Sequence, residues 1–211
     1  MIHRSIKYRA GFISLSALVL FMLSACSVTQ QKPSPETVPD SQSLQNFPAD
    51  WTINGRISMI HKDENWYARF NWIQQNQDFQ ISFTGPLGET ELQLSQIEQN
   101  IRLKTPSIER SSDNLEQLLF QETGWKFPVT SLRYWSHGQP DPNAEAQLKY
   151  NEQQQISDIY QAGWHIRYPK RMSVDSYLLP KKIIATEQDL KIKIIISNWL
   201  LGEAALELDE R

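Results

Sequence analysis

One cysteine stands in the whole chain, so no intramolecular disulfide is available and Cys26 owes its place to other chemistry. No apolar stretch reaches the roughly 20 residues of a membrane-crossing helix; the run from Phe12 to Leu23 is too short to span comfortably. Lys and Arg nowhere cluster, which argues against nucleic acid as a partner and against a polybasic segment drawn to anionic lipid. A P-loop, a Gly-rich dinucleotide fingerprint and a nucleophile elbow are all missing. His61, His137 and His165 stand at no metal-ligand spacing; the first two read as solvated, the third as lying on the outer face of a strand. Nothing nominates a catalytic group, so neither an enzyme nor a metal is expected.

What is present begins at the N-terminus. Arg4, Lys7 and Arg9 precede the uncharged run from Phe12 to Leu23, and small residues close it. A basic segment, a short apolar segment and a small-residue cut describe a secretory signal peptide, residues 1–25. Leu23-Ser24-Ala25-Cys26 resembles the bacterial lipobox, whose cysteine receives a diacylglycerol, becomes the new N-terminus and is acylated again. No separate cofactor is expected, only this covalent lipid on Cys26. Several acyl chains, at about 0.8 kcal/mol per buried methylene, anchor a protein firmly. Ser27 stands where enterobacterial lipoproteins retained at the inner membrane carry Asp, so by analogy the address is the outer membrane, facing the periplasm. Loss of residues 1–25 removes three positive charges and takes the formal charge from -3 to -6. Residues 26–48, with Pro33, Pro35, Pro39 and Pro48, read as a lipidated N-terminus and flexible spacer. Residues 49–211 suffice for one domain with a real core, expected to be monomeric.

From Trp51 onward, period-two alternation predicts strands. Trp51, Ile53, Ile57 and Met59 share one face of the first; Ala68, Phe70 and Trp72 share one face of the next. Phe79, Ile81 and Phe83 alternate with Gln80, Ser82 and Thr84, and Leu92, Leu94, Ile101 and Leu103 continue the series. Later strands carry Trp164, Ile166 and Tyr168, then Ile183 to Ala185, then Leu190, Ile192, Ile194 and Ile196. Short polar connections make neighbours pair as antiparallel hairpins. Two helices interrupt the meander: one capped by Ser112, carrying Leu115, Leu118 and Leu119 and stopped by Gly124; another from Pro128, carrying Leu132 and Trp135 and ending near Gly138. A further short helix is expected from Leu200 to Leu208.

The fold class is therefore mainly β with a few helices: about ten antiparallel strands whose one apolar face must be covered. Either the sheet closes on its own side chains or it stays partly open around a cavity. The inward face is rich in rings, which suit both. Phe70, Trp72, Phe79, Ile81 and Phe83 are the candidate lining of such a cavity. Between the strands ending at Phe83 and beginning at Glu91, Pro86 suits the second position of a β-turn. Leu87 at the third argues for type I over type II. A leucine there has no neighbour to bury it; the plain alternatives are a lone exposed residue or one folded back onto the sheet.

Further short segments run in order along the chain: Ala25-Cys26-Ser27-Val28-Thr29, Tyr67-Ala68-Arg69-Phe70 with Trp72, and Gly85-Pro86-Leu87-Gly88-Glu89-Thr90-Glu91-Leu92. Ser131-Leu132-Arg133 with Trp135 and Gly138 follows, then Ile192-Lys193 with Asn198-Trp199. Through them the chain resembles the LolB family, outer-membrane receptors of the bacterial lipoprotein-sorting pathway. The resemblance implies an incomplete antiparallel β-barrel whose hydrophobic cavity is covered by helices. It implies as partners a LolA-like periplasmic carrier of the same fold, the acyl chains of cargo lipoproteins, and outer-membrane lipid. It further implies that Leu87, on a turn shaped by Pro86 and Gly88, enters the bilayer interface. The alternative from another class is a structural lipoprotein that scaffolds outer-membrane partners over a filled barrel core.

Overall fold

Alternation along β1 (Trp51–His61) leaves Trp51, Ile53, Ile57 and Met59 no more than 4% exposed, while Arg56 between them is exposed. β1 pairs with β2 (Glu64–Gln75) on one side and β11 (Leu190–Leu201) on the other, so its backbone groups find partners along both edges. The computed structural model describes residues 47–62, 64–124 and 126–205. The signal peptide, Cys26 and all of the spacer up to residue 46 lie outside the described residues.

From β1 the chain meanders outward through β2, β3 (Asp78–Thr84), β4 (Thr90–Ile97), β5 (Asn100–Lys104) and β6 (Glu109–Ser112). Two helices follow, α1 (Leu115–Thr123) and α2 (Val129–Ser136). The chain resumes at the opposite edge with β7 (Ala146–Tyr150) and returns through β8 (Ile156–Gln161), β9 (Trp164–Val174) and β10 (Tyr177–Glu187) to β11. The result is an unclosed, fully antiparallel sheet of 11 strands in the order β6-β5-β4-β3-β2-β1-β11-β10-β9-β8-β7. The edges β6 and β7 do not pair; the two helices occupy the connection between them. This is the mainly β architecture expected from the alternation, and the incomplete closure is the one of the two alternatives that the family resemblance implies.

Three strands were not expected, β6, β7 and β8. The sequence Glu-Arg-Ser-Ser of β6 has no apolar residue to alternate. Residue 112 also differs from expectation: Ser112 ends β6, and the cap of α1 is Asn114, whose side chain accepts from Gln117 N at 2.8 Å. The Ser112 hydroxyl instead accepts from Asn114 N at 3.0 Å, holding the capping residue in place. Gly124, with φ 73, closes α1 in the left-handed region. The tail departs too: Leu200 and Leu201 remain in β11, followed by a 3-10 turn at Gly202–Ala205; residues 206–208 of the expected helix lie outside the described ones.

Helix α2 packs Leu132 and Trp135, 1% and 0% exposed, onto the inner face of the sheet. Its position is fixed by buried hydrogen bonds. Trp135 Nε1 donates to Gln161 Oε1 at 2.8 Å, and the Gln161 amide donates to the carbonyls of Asp141 and Ala144. The Tyr168 hydroxyl donates to Trp135 O at 2.9 Å. Burial pushes that phenol's pKa up, so it stays a neutral donor.

Candidate functional site

Helix α1 meets the sheet through Leu115, Leu118 and Leu119, all buried, with an Arg110–Glu122 ion pair at 3.7 Å on its outer side. Nine residues cannot cover strands β1 to β5. Beneath α1 remains a cavity of about 290 Å³, lined by Met59, Trp66, Phe83, Leu92, Leu94, Leu119 and Phe127, with Glu91, Thr105 and Thr123 as its polar members. Ligand pockets run from about 300 Å³ upward, so this is the lower end of that range. Glu91 is not loose in it: Trp66 Nε1 donates to Glu91 Oε2 at 3.0 Å.

Under α2 the sheet is nearly filled. A void of only about 20 Å³ remains, lined by Phe70, Trp72, Ile81 and Phe83 together with Phe127 and Leu132. Four of the five candidate lining residues are thus brought together and face inward, with exposures of 1–6%. Of these only Phe83 also reaches the larger cavity. Trp72 belongs as well to a run of rings, 5.2 Å from Trp51, which stands 5.6 Å from Trp199. Phe79, half-buried, packs edge-on to Trp72 at 6.4 Å and lines neither space. Met59, Trp66, Leu94, Leu119 and Phe127 were not singled out as lining residues. Met59 and Leu94 carried the alternation that could have found them; Leu119 and Phe127 come into place only through the fold of the helices.

At the β3–β4 connection, Gly88 N donates to Gly85 O at 3.1 Å and Gly85 N to Glu89 O at 2.9 Å. Gly88 has φ 93, while Leu87 does not enter positive φ. This is a type I turn followed by a left-handed bulge residue, a common three-residue hairpin loop. Gly88 takes the position that only glycine occupies without strain. Leu87 is 94% exposed, the most exposed large apolar residue described.

His137, expected in solvent, is enclosed instead. Its ring stacks on Phe47 at 4.5 Å, and its Nδ1 is buried without a hydrogen-bond partner. Burial, helped by the Arg133 charge, pushes its pKa down to about 4. His165 does lie on the outer face of β9, stacked on Tyr160 at 4.3 Å, with Nε2 2.7 Å from Asp158 Oδ1. Burial would raise the Asp158 pKa, but hydrogen bonds from His165 and Ser157 outweigh it and hold the group below the usual carboxylate range. Among the described residues no group of three or more His, Cys, Asp or Glu is placed to hold a metal ion. No described helix is long and apolar enough to cross a membrane.

The family described as outer membrane lipoprotein LolB matches residues 49–199. An outer-membrane lipoprotein LolB of Marinomonas sp. is 30% identical over 182 residues, covering 85% of this chain and 93% of that protein. One of Nitrosococcus oceani is 29% identical over 198 residues, covering 90% and 98%. Among solved structures, a DUF1329 family protein from Desulfovibrio piger superposes with a TM-score of 0.51 at 8% identity, covering 77% of this chain and 90% of that one.

Proposed function

We propose, on the premise that this chain belongs to the LolB family of outer-membrane lipoproteins, that it receives lipoproteins from a LolA-like periplasmic carrier and releases them into the outer membrane. In this reading residues 1–25 are removed and Cys26 carries the lipid. The spacer to residue 48 then lets residues 49–211 move between carrier and bilayer. The observation that carries it is the apolar cavity of about 290 Å³ under α1, a space for acyl chains beside a sheet otherwise filled. A cavity of that size takes part of one chain. Full entry needs α1 to move from the sheet, which also frees the rings of Phe70, Trp72, Ile81 and Phe83 to form the deeper lining.

The sequence carries no nucleotide-binding motif, so in this reading transfer runs downhill in affinity, each tenfold step taking about 1.4 kcal/mol. Burying acyl surface against rings supplies this at about 25 cal/mol per Å². Leu87 acts at release. Its burial in a bilayer interface is worth about 1.5–3 kcal/mol, too little to anchor but enough to orient a tethered domain.

The near-filled centre under α2 favours the second reading, a scaffolding lipoprotein that binds no acyl chain. A fluorescent fatty acid separates the two. Saturable binding, displaced by unlabelled fatty acid, is the expected result; its absence leaves the scaffold.

A further inference from the structure

The outer face of the sheet carries a row of cations that strand pairing assembles from distant parts of the sequence. Lys182 of β10 lies opposite Ile195 of β11, and Ile195 opposite Arg56 of β1. Arg56 lies directly opposite Arg69 of β2, and Arg69 opposite Thr84 of β3. In the next row of that face, Lys193 pairs with Ser58 and Ser58 with Tyr67. Arg56, Arg69, Lys193 and Tyr67 line a groove of about 330 Å³ whose end wall is Gly85 and Pro86, the base of the hairpin that presents Leu87. The Glu89 and Glu91 carboxylates crowd Gly85, so an anion is confined to the arginine end.

None of Lys182, Arg56, Arg69 and Lys193 has an ion-pair partner among the described residues. Like charges directly opposite across a sheet repel, and among the described residues no carboxylate pairs with Arg56 or Arg69. This positive face belongs to a chain of formal charge -3, which drops further once residues 1–25 leave, so it runs against the overall sign. An anion seated between the guanidiniums would relieve the repulsion, and a phosphate oxygen pair matches the guanidinium fork. Tyr67, 57% exposed at the same end as the hairpin, has the ring and hydroxyl that sit well at the headgroup level of a bilayer.

We propose that this groove binds the phosphodiester headgroup of an anionic phospholipid. That contact would lay the outer face of β1 and β2 beside the membrane that the Leu87 tip meets. The inference rests on the reading of that tip as membrane-facing. Each cation held at an anionic surface raises its occupancy by a lipid about fivefold.

The test uses the full lipidated protein in vesicles of phosphatidylcholine with or without phosphatidylglycerol. Arginines are footprinted with phenylglyoxal and lysines by acetylation. Phosphatidylglycerol should lower the reactivity of Arg56, Arg69 and Lys193 about fivefold, while exposed Arg167 on β9 stays unchanged. Equal reactivity in both vesicles overturns the proposal. Equal protection by inorganic phosphate on phosphatidylcholine vesicles overturns the lipid assignment in favour of a free anion. Arg56→Gln/Arg69→Gln should melt no lower than the parent and lose the protection of Lys193; protection that persists also overturns it. Leu87→Glu keeps the two readings apart: unimpaired delivery by that variant refutes the tip, and the footprint judges the groove.

Discussion

Phe127 stands where the two internal spaces meet. It is 7% exposed and lines both the cavity of about 290 Å³ and the void of about 20 Å³, as Phe83 does from the sheet. Phe127→Ala should merge them. A buried Phe→Ala change costs about 3–5 kcal/mol, a large share of the roughly 5–15 kcal/mol of a typical domain. Phe127→Leu, which removes less, is the companion variant. The merged space should admit about three more methylenes. At about 0.8 kcal/mol each they add roughly 2.4 kcal/mol, or about fiftyfold in affinity. Competition of a fluorescent fatty acid by saturated acids of increasing length reads this out. Affinity should rise with length and level off, and the plateau of Phe127→Ala should come about three carbons later than that of the parent. If both folded proteins level off at the same length, the two spaces do not belong to one acyl site.

Leu87→Glu should leave folding and acceptance of cargo intact while slowing release into liposomes; delivery at the parent rate would leave Leu87 a mere turn residue. His137 gives a pH dependence. Its folded pKa of about 4 lies below its ordinary 6.5, so the unfolded chain binds the extra proton between those values. Its contribution to stability is complete above about pH 6.5 and is lost as pH falls toward 4, some 3 kcal/mol in all. Urea titrations of the parent and His137→Phe should diverge over that window, the parent losing more; parallel curves would refute it.

The strands with one apolar face were legible because burial imposes a period of two: Phe70, Trp72, Ile81, Leu94, Leu103, Ile166 and Ile192 all lie where the alternation puts them. Strands at the edges were not. β6 has nothing apolar to bury, and β7 carries a single leucine among Gln, Lys and Tyr. Ser112 and Asn114 are both good capping residues, and only the geometry at Gln117 N chooses between them. The place of the cavity was not legible because part of its wall, Leu119, Thr123 and Phe127, comes from α1 and the α1–α2 connection, whose placement is tertiary. The cation row escaped for a similar reason: register, not sequence proximity, brings Lys182, Arg56 and Arg69 side by side.

The central position of β1 also bears on when the domain can form. One of its edges waits for β11, the last strand described, and Thr52 Oγ1 finds its acceptor, Ala205 O, 153 residues away. Contacts of that separation are slow to close. A chain that emerges N-terminus first therefore cannot zip up its middle until nearly all of it is present. Until then the free edge of β1 is open to pairing with other chains. Completion by the final strand makes the two halves of the sheet, β1–β6 and β7–β11, join only once the end of the domain has been made.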